Sequence, residues 1–166
     1  MLFQHPHISK TAQILKDLIN VNNDRISGYE AVLEPGACLD QPVKDLIRQI
    51  VSDSILHKQQ LMHEVKRIDG ETKTLRTIPG KIYMAWNDLK ALSLLRTQRP
   101  QLKSFLYNEE ITIQVYTAAL DKTGSRNGSV GQLLSEQEKN LRRNYGLLKC
   151  HRDSQHAVHS YSAYFA

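Results

Sequence analysis

The sequence predicts an all-α fold, an up-down-up-down four-helix bundle with a long crossover that carries a short helix. Apolar residues recur three and four positions apart in four stretches, at about 9–34, 41–69, 101–121 and 129–153. The connections after the first and third stretches are short, whereas the connection between the second and third is long, as in two helical hairpins joined by a crossover. The alternating β-branched runs of an α/β fold are absent from the sequence.

The first helix is expected over about 9–34, with Ser9 as its N-cap and the sequence Pro35-Gly36 as its stop. Its apolar stripe is interrupted by Asn22 and Asn23, which are poor core residues. These two side chains either face solvent or belong to a polar layer inside the bundle.

The second helix is expected over about 41–69, with Asp40 as its N-cap. Apolar residues should continue through positions 54 and 57, but Ser54 and His57 stand there. This polar gap lies well inside the helix, as the asparagine pair does in the first.

A short helix at about 81–95 follows in the crossover, and its tryptophan, Trp86, is expected to pack against the bundle. The third helix, at about 101–121, carries Glu109 within its apolar stripe. A buried carboxylate is costly unless it is paired, hydrogen-bonded or bound to a metal. Glu109 therefore predicts a polar partner opposite it in the bundle.

The fourth helix is expected over about 129–153, with Ser129 as its cap, Gln137 within its stripe and Asn144 at its border. Residues 154–166 show no sustained period and are expected to form a loose tail or to lie along a groove. Residues 1–153 are then one domain, of a size that can bury a core without disulfides or metals.

The composition favours a cytoplasmic protein with no membrane span. The two cysteines form no disulfide framework or metal-binding pattern, and neither a leader peptide nor a membrane-length apolar run is visible. The net charge of +5 permits nucleic acid as a partner. A solvated face explains the basic group of the fourth helix better, so nucleic acid is not the expected partner; the group comprises Lys139, Arg142, Arg143, Lys149 and Arg152.

Several segments together carry a family resemblance. They are residues 15–34, the crossover at 80–93, residues 108–120 with Glu109 and Tyr116, and residues 133–144. In this order they resemble an uncharacterised bacterial family with a ferritin-like four-helix bundle, classified as a domain of unknown function, over most of residues 10–153. The resemblance implies a ferritin-like fold and no established reaction.

A complete di-iron centre is not expected, because such centres take a Glu-x-x-His pair from each of two helices and the sequence has none. The height of each polar residue along the bundle axis follows from a rise of about 1.5 Å per helical residue. These heights are measured from the end expected to hold both Pro35 and the 122–128 loop. They set Glu30 and Gln137 near that end and predict a mid-bundle layer of Asn22, Asn23, His57, Glu109 and Asn144, with Tyr145 as an alternative to Asn144.

Two interpretations of this layer stay open. In one, His57 and Glu109 bind a single divalent ion such as iron, manganese or zinc, with Glu30 as an outside candidate. In the other, which is favoured, His57 and Glu109 form a buried hydrogen-bonded pair, the asparagines satisfy the remaining polar atoms, and no cofactor is bound.

The expected function is that of a non-enzymatic bundle, structural or stress-associated, which binds a protein partner not identified by the sequence or self-associates. No nucleophile elbow, phosphate-binding loop, dinucleotide fingerprint or zinc-protease motif occurs in the sequence. The alternatives are a degenerate ferritin-like metal-binding or oxidase-type protein that uses His57 and Glu109, and a nucleic-acid-binding bundle.

Overall fold

Four long helices form the described part of the protein in a computed structural model. It describes residues 9–33, 39–69, 80–84, 86–87, 101–123 and 128–164. The helices are α1 (Lys10–Val32), α2 (Gln41–Asp69), α3 (Gln101–Thr123) and α4 (Ser129–Tyr164). They pack against one another in a bundle, which confirms the predicted all-α class.

Side chains cap the first two helices as their sequences predict. Ser9 Oγ accepts a hydrogen bond from the amide of Ala12 at 3.0 Å, and Asp40 Oδ1 accepts one from the amide of Val43 at 3.1 Å. Ser129 behaves differently, because it is the first residue of α4 and its hydroxyl bonds Glu64 and Arg67 of α2. The helix-stop signal at 35–36 lies outside the described residues.

Every pair of neighbouring helices is antiparallel. On α1 and α3, Asn22 meets Tyr116 while Arg25 meets Glu109, so rising numbers on one helix meet falling numbers on the other. The same holds for α2 and α4, and α1 packs against α2 as α3 does against α4. The directions in chain order are therefore up, down, down, up.

The predicted order of helix directions, up-down-up-down, is wrong for α3 and α4. Asp40, just before α2, bonds His151 of α4 at 3.0 Å, whereas Ser129 at the start of α4 lies beside Glu64. The start of α2 and the start of α4 thus lie at opposite ends of the bundle. The connection from α2 to α3 has enough residues to return along the whole bundle, which makes this order possible.

The apolar core is divided into two clusters along the bundle axis. One lies toward the start of α1 and includes Leu15, Leu18, Leu61, Leu120 and Leu134. The other lies toward the end of α1 and includes Tyr29, Ile47, Ile50, Phe105 and Leu148. A layer of buried polar side chains lies between them.

The crossover helix docks on α1 through a carboxylate. Residues 81–84 and 86–87 are helical, and the remainder of the predicted span to 95 lies outside the described residues. Asp17 of α1, 1% exposed, accepts hydrogen bonds from the amides of Gly80, Ile82 and Tyr83 at 2.9, 3.2 and 3.4 Å. Trp86 is buried in the first cluster, as its size predicts.

Helix α4 continues to Tyr164, beyond the predicted end at residue 153. The backbone of the segment expected to be a loose tail is thus helical over most of its length. None of the described helices contains an apolar run long enough to cross a membrane.

Candidate functional site

The centre of the polar layer is an ion pair between Arg25 and Glu109. Glu109 on α3 is completely buried, and Arg25 Nη2 donates to its two carboxylate oxygens at 2.7 and 2.8 Å. The hydroxyl of Tyr29, four residues after Arg25 on the same face of α1, donates to Glu109 Oε1 at 2.7 Å. The costly carboxylate therefore has a charged partner and a neutral donor.

Further hydrogen bonds connect this pair to the other helices. Arg25 Nη1 donates to Ser54 Oγ of α2 at 2.9 Å, and Asn22 Nδ2 donates to the hydroxyl of Tyr116 at 2.7 Å. Tyr116 in turn donates to Gln137 Oε1 of α4 at 3.1 Å. The layer thus bridges all four helices through side-chain contacts.

The pKa values of Arg25, Tyr29 and Tyr116 are all raised above their ordinary values. Burial raises the pKa of Tyr29 well above its ordinary value, and burial raises the pKa of Tyr116 to about 12. Burial by itself lowers the pKa of Arg25, but the charge of Glu109 and the bonds to it outweigh that effect and leave the pKa raised. Arg25 therefore stays charged, and both phenols stay neutral.

His57 does not bond Glu109, so the predicted pair is wrong. His57 is 4% exposed, and its Nδ1 has no partner in the described part of the chain. Burial lowers the pKa of His57 to about 4, the charge of Arg25 adds to this, and Asp53 opposes it in part. Arg25 takes the position opposite Glu109 that the sequence assigned to His57.

The other predicted residues divide between the interior and the surface. Asn22 and Asn144 are completely buried, whereas Asn23 and Tyr145 are half-buried and Glu30 is exposed. Glu30 is therefore not part of the layer.

Asn144 belongs to a polar group beside the ion pair. Its Nδ2 and that of Asn140 both donate to Asp53 Oδ2 at 3.0 Å. Gln137, which the height count had set nearer one end, lies in the layer, where its Nε2 donates to the carbonyl of His57 at 3.2 Å. The predicted height of Gln137 is wrong because α3 and α4 run in the directions opposite to those expected.

Sequence comparison identifies the family of the chain. The profile of a domain of unknown function (DUF2383) matches residues 10–122, which is more than half of the sequence. The chain belongs to the DUF2383 family. No curated protein matches it.

The match to DUF2383 includes the residues that form the ion pair. Arg25, Tyr29 and Glu109 all lie within residues 10–122, as does Asp17, which caps the crossover helix. Gln137 and Asn144 lie in α4, beyond the matched range.

Arg25 is the main residue of this DUF2383 layer that the sequence interpretation missed. It stands in register with Leu18, Asn22 and Tyr29, at spacings of three and four on the buried face of α1. A search for a cation on a buried stripe, to match the buried carboxylate of α3, would have found it. A pattern of histidine and carboxylate metal ligands does not include Arg25, because arginine does not bind metal ions in such sites.

Both oxygens of Glu109, the strongest metal-ligand candidate of the layer, are already bonded to other side chains. Both oxygens of Glu109 face the Arg25 guanidinium, so a cation would have to displace that charge or stand beside it. Two like charges about 4 Å apart repel by about 4 kcal/mol per unit charge near a protein surface, and by more in the interior. Among the described residues, no three histidine, cysteine, aspartate or glutamate side chains come together.

A cavity of about 280 Å³ lies next to the layer, between α1, α3 and the crossover helix. Arg25 and Tyr29 form part of its wall, together with Trp86, Phe105 and Asp24. The DUF2383 domain thus has a buried ion pair at the centre of its polar layer and a cavity beside that layer.

Proposed function

We propose that the protein is a non-catalytic bundle, structural or stress-associated, whose activity is binding and which does not use a metal centre in its interior. The observation that carries this proposal is the bidentate contact of Arg25 with Glu109. It supplies the positive charge that a buried carboxylate requires.

The protonation states of the layer also support a non-catalytic role. A general acid or base works best with a pKa near the operating pH. Arg25, Tyr29 and Tyr116 all have raised pKa values, and the pKa of His57 is lowered to about 4. None of these four groups exchanges a proton readily near pH 7.

The alternative of a metal-binding or oxidase-type protein is supported by a single observation. It requires His57 and Glu109 to share an ion, and the buried Nδ1 of His57 is a ligand atom without a described partner. Since Glu109 is held by Arg25 and Tyr29, His57 would have to bind the ion without it.

Elemental analysis of protein purified without a histidine tag tests this proposal, together with calorimetric titration with manganese, iron(II) and zinc. We expect less than stoichiometric metal and no saturable binding. The matched variants are His57→Gln in the layer and His63→Gln on the exposed face of α2. Stoichiometric metal that is lost in His57→Gln but kept in His63→Gln would show that the interior is a metal site.

The contacts of α4 argue against the nucleic-acid alternative. Lys139 pairs with Glu136 and Arg142 with Glu138, each at 2.7 Å. Arg152 pairs with its neighbour Asp153, also at 2.7 Å. Much of the positive charge on this face is therefore offset locally, which weakens its attraction for phosphates.

We place this binding role in the cytoplasm and include self-association within it. Cys150 is exposed and outside any disulfide, which suits a reducing compartment. Exposed apolar side chains at Ile55, Leu56 and Met62 on α2 provide apolar surface of the kind that contacts between proteins use.

A further inference from the structure

We propose that the cavity between α1, α3 and the crossover helix binds a small organic cation with apolar substituents. This inference rests on the proposed binding role and gives it a ligand class. The volume of about 280 Å³ lies just below the usual range of small-molecule sites, about 300–1,000 Å³, and so suits a small ligand.

The walls of the cavity are aromatic on three elements. Tyr29 comes from α1, Phe105 from α3 and Trp86 from the crossover helix, and each is 5% exposed or less. Tyr29 and Phe105 hold each other in place, with ring centroids 5.7 Å apart. Aromatic rings attract cations through their negative faces, by about 0.5–2 kcal/mol for each contact.

One part of the wall has no side chain. Gly28 lines the cavity, and a methyl group built on it would meet no atom within 4 Å. The space beside α1 is therefore open to a Cβ atom at this position.

The charge of the wall selects a cation over an anion. Arg25 is neutralised by Glu109, so it leaves no positive charge for a ligand. Asp24 also lines the cavity, and it accepts a hydrogen bond from the hydroxyl of Tyr83 at 2.9 Å but pairs with no cation among the described residues. Among the residues that the structure describes, the uncompensated charge at the cavity is thus negative, and it would repel a carboxylate or phosphate.

The sole tryptophan of the chain, Trp86, lines this cavity, so its fluorescence reports binding directly. The probes are choline, its uncharged carbon analogue 3,3-dimethylbutan-1-ol and the anion 3,3-dimethylbutanoate. We expect choline to change the emission saturably and to bind at least about tenfold more tightly than the alcohol. The anion should not bind.

Two variants locate the site, and a third serves as their control. Asp24→Asn removes the charge and should weaken choline binding at least about tenfold, while binding of the alcohol is unchanged. Gly28→Val fills the cavity and should abolish the response. Gly146→Val on α4, where a methyl group also meets no atom within 4 Å, should keep it, and circular dichroism checks that all three fold.

Equal binding of choline and the alcohol would overturn the proposal in favour of a neutral apolar ligand. The proposal also fails if choline gives no saturable change below about 10 mM, or if Asp24→Asn binds as well as wild type. If the protein contains no metal and does not bind choline, only this inference is contradicted. Stoichiometric metal would instead contradict the proposed function.

Discussion

At the scale of single residues, the interior contains charges that would be unstable alone. Arg25 and Glu109 are 4% and 0% exposed, and each compensates for the loss of water around the other. Their side chains are joined by two short hydrogen bonds, and Tyr29 adds a third to the carboxylate. The stability of each buried charge therefore depends on the presence of the other.

His57 gives the protein a pH dependence of its own. Its pKa is about 4 when folded and about 6.5 when unfolded, so below pH 6.5 the unfolded chain takes up a proton that the folded chain does not. We expect the free energy of unfolding to fall as pH falls from about 6.5 to about 4, by about 3 kcal/mol at most. Above pH 6.5 the residue is neutral in both states and contributes no slope.

Urea unfolding at pH 7, 6 and 5 measures this loss. His57→Gln should flatten the slope in that window, whereas His63→Gln, an exposed position on the same helix, should retain it. Asp53 has a lowered pKa and adds its own loss only nearer pH 4, as the unfolded carboxylate is protonated. A variant without His57 that kept the full slope would refute this assignment.

At the scale of elements, the crossover helix is attached to α1 by a cap taken from another helix. The carboxylate of Asp17 receives three backbone amides around the start of this helix, as a helix N-terminus favours. Gly80 is required for this contact, because a Cβ there would overlap the carboxylate oxygens.

Removing the cap should loosen the crossover helix selectively. We expect Asp17→Ala to lower the free energy of unfolding by about 1–3 kcal/mol, since one buried and two partly buried amides lose their acceptor. Gly80→Ala should also destabilise the protein, by displacing the same carboxylate. Hydrogen exchange followed by mass spectrometry should accelerate over residues 80–87 in both variants.

Gly146→Ala is the matched control for this prediction. It lies on the exposed surface of α4 with open space at its Cβ, so alanine should stabilise the helix by about 0.5–1 kcal/mol. Unchanged exchange over 80–87 in Asp17→Ala would mean that the cap does not hold the helix.

At the scale of the whole molecule, the polar layer separates two apolar clusters and contacts all four long helices of the described part of the chain. Replacing one charged partner leaves the other buried and alone, which costs about 3–5 kcal/mol. We therefore expect Arg25→Met to be strongly destabilising in urea unfolding at pH 7. The variant Arg25→Met/Tyr29→Phe/Glu109→Leu should recover most of that loss, because it removes both charges and the phenol donor together.

The triple variant distinguishes pairing from packing. If it is as unstable as Arg25→Met, the loss comes from the volume of the arginine side chain rather than from the orphaned carboxylate. A stable triple variant with poorly dispersed nuclear magnetic resonance signals would show that the layer selects one arrangement of the helices.

The local features of the fold could be predicted from the sequence because they depend on neighbouring residues. Periodic apolar positions located the four helices, and Ser9 and Asp40 were recognised as caps. The burial of Glu109, His57, Asn22 and Asn144 followed from their places in or beside those stripes. These properties arise from hydrogen bonds and side-chain faces within single helices.

Helical periodicity thus indicated that a carboxylate is buried, whereas its partner depends on how the helices pack. Arg25 and Glu109 are 84 positions apart, and they come together because α3 runs antiparallel to α1. That direction depends on how the long crossover returns along the bundle, which no helical periodicity records. The partner of Glu109 is therefore a guanidinium rather than a histidine, because direction and register are properties of the packed bundle.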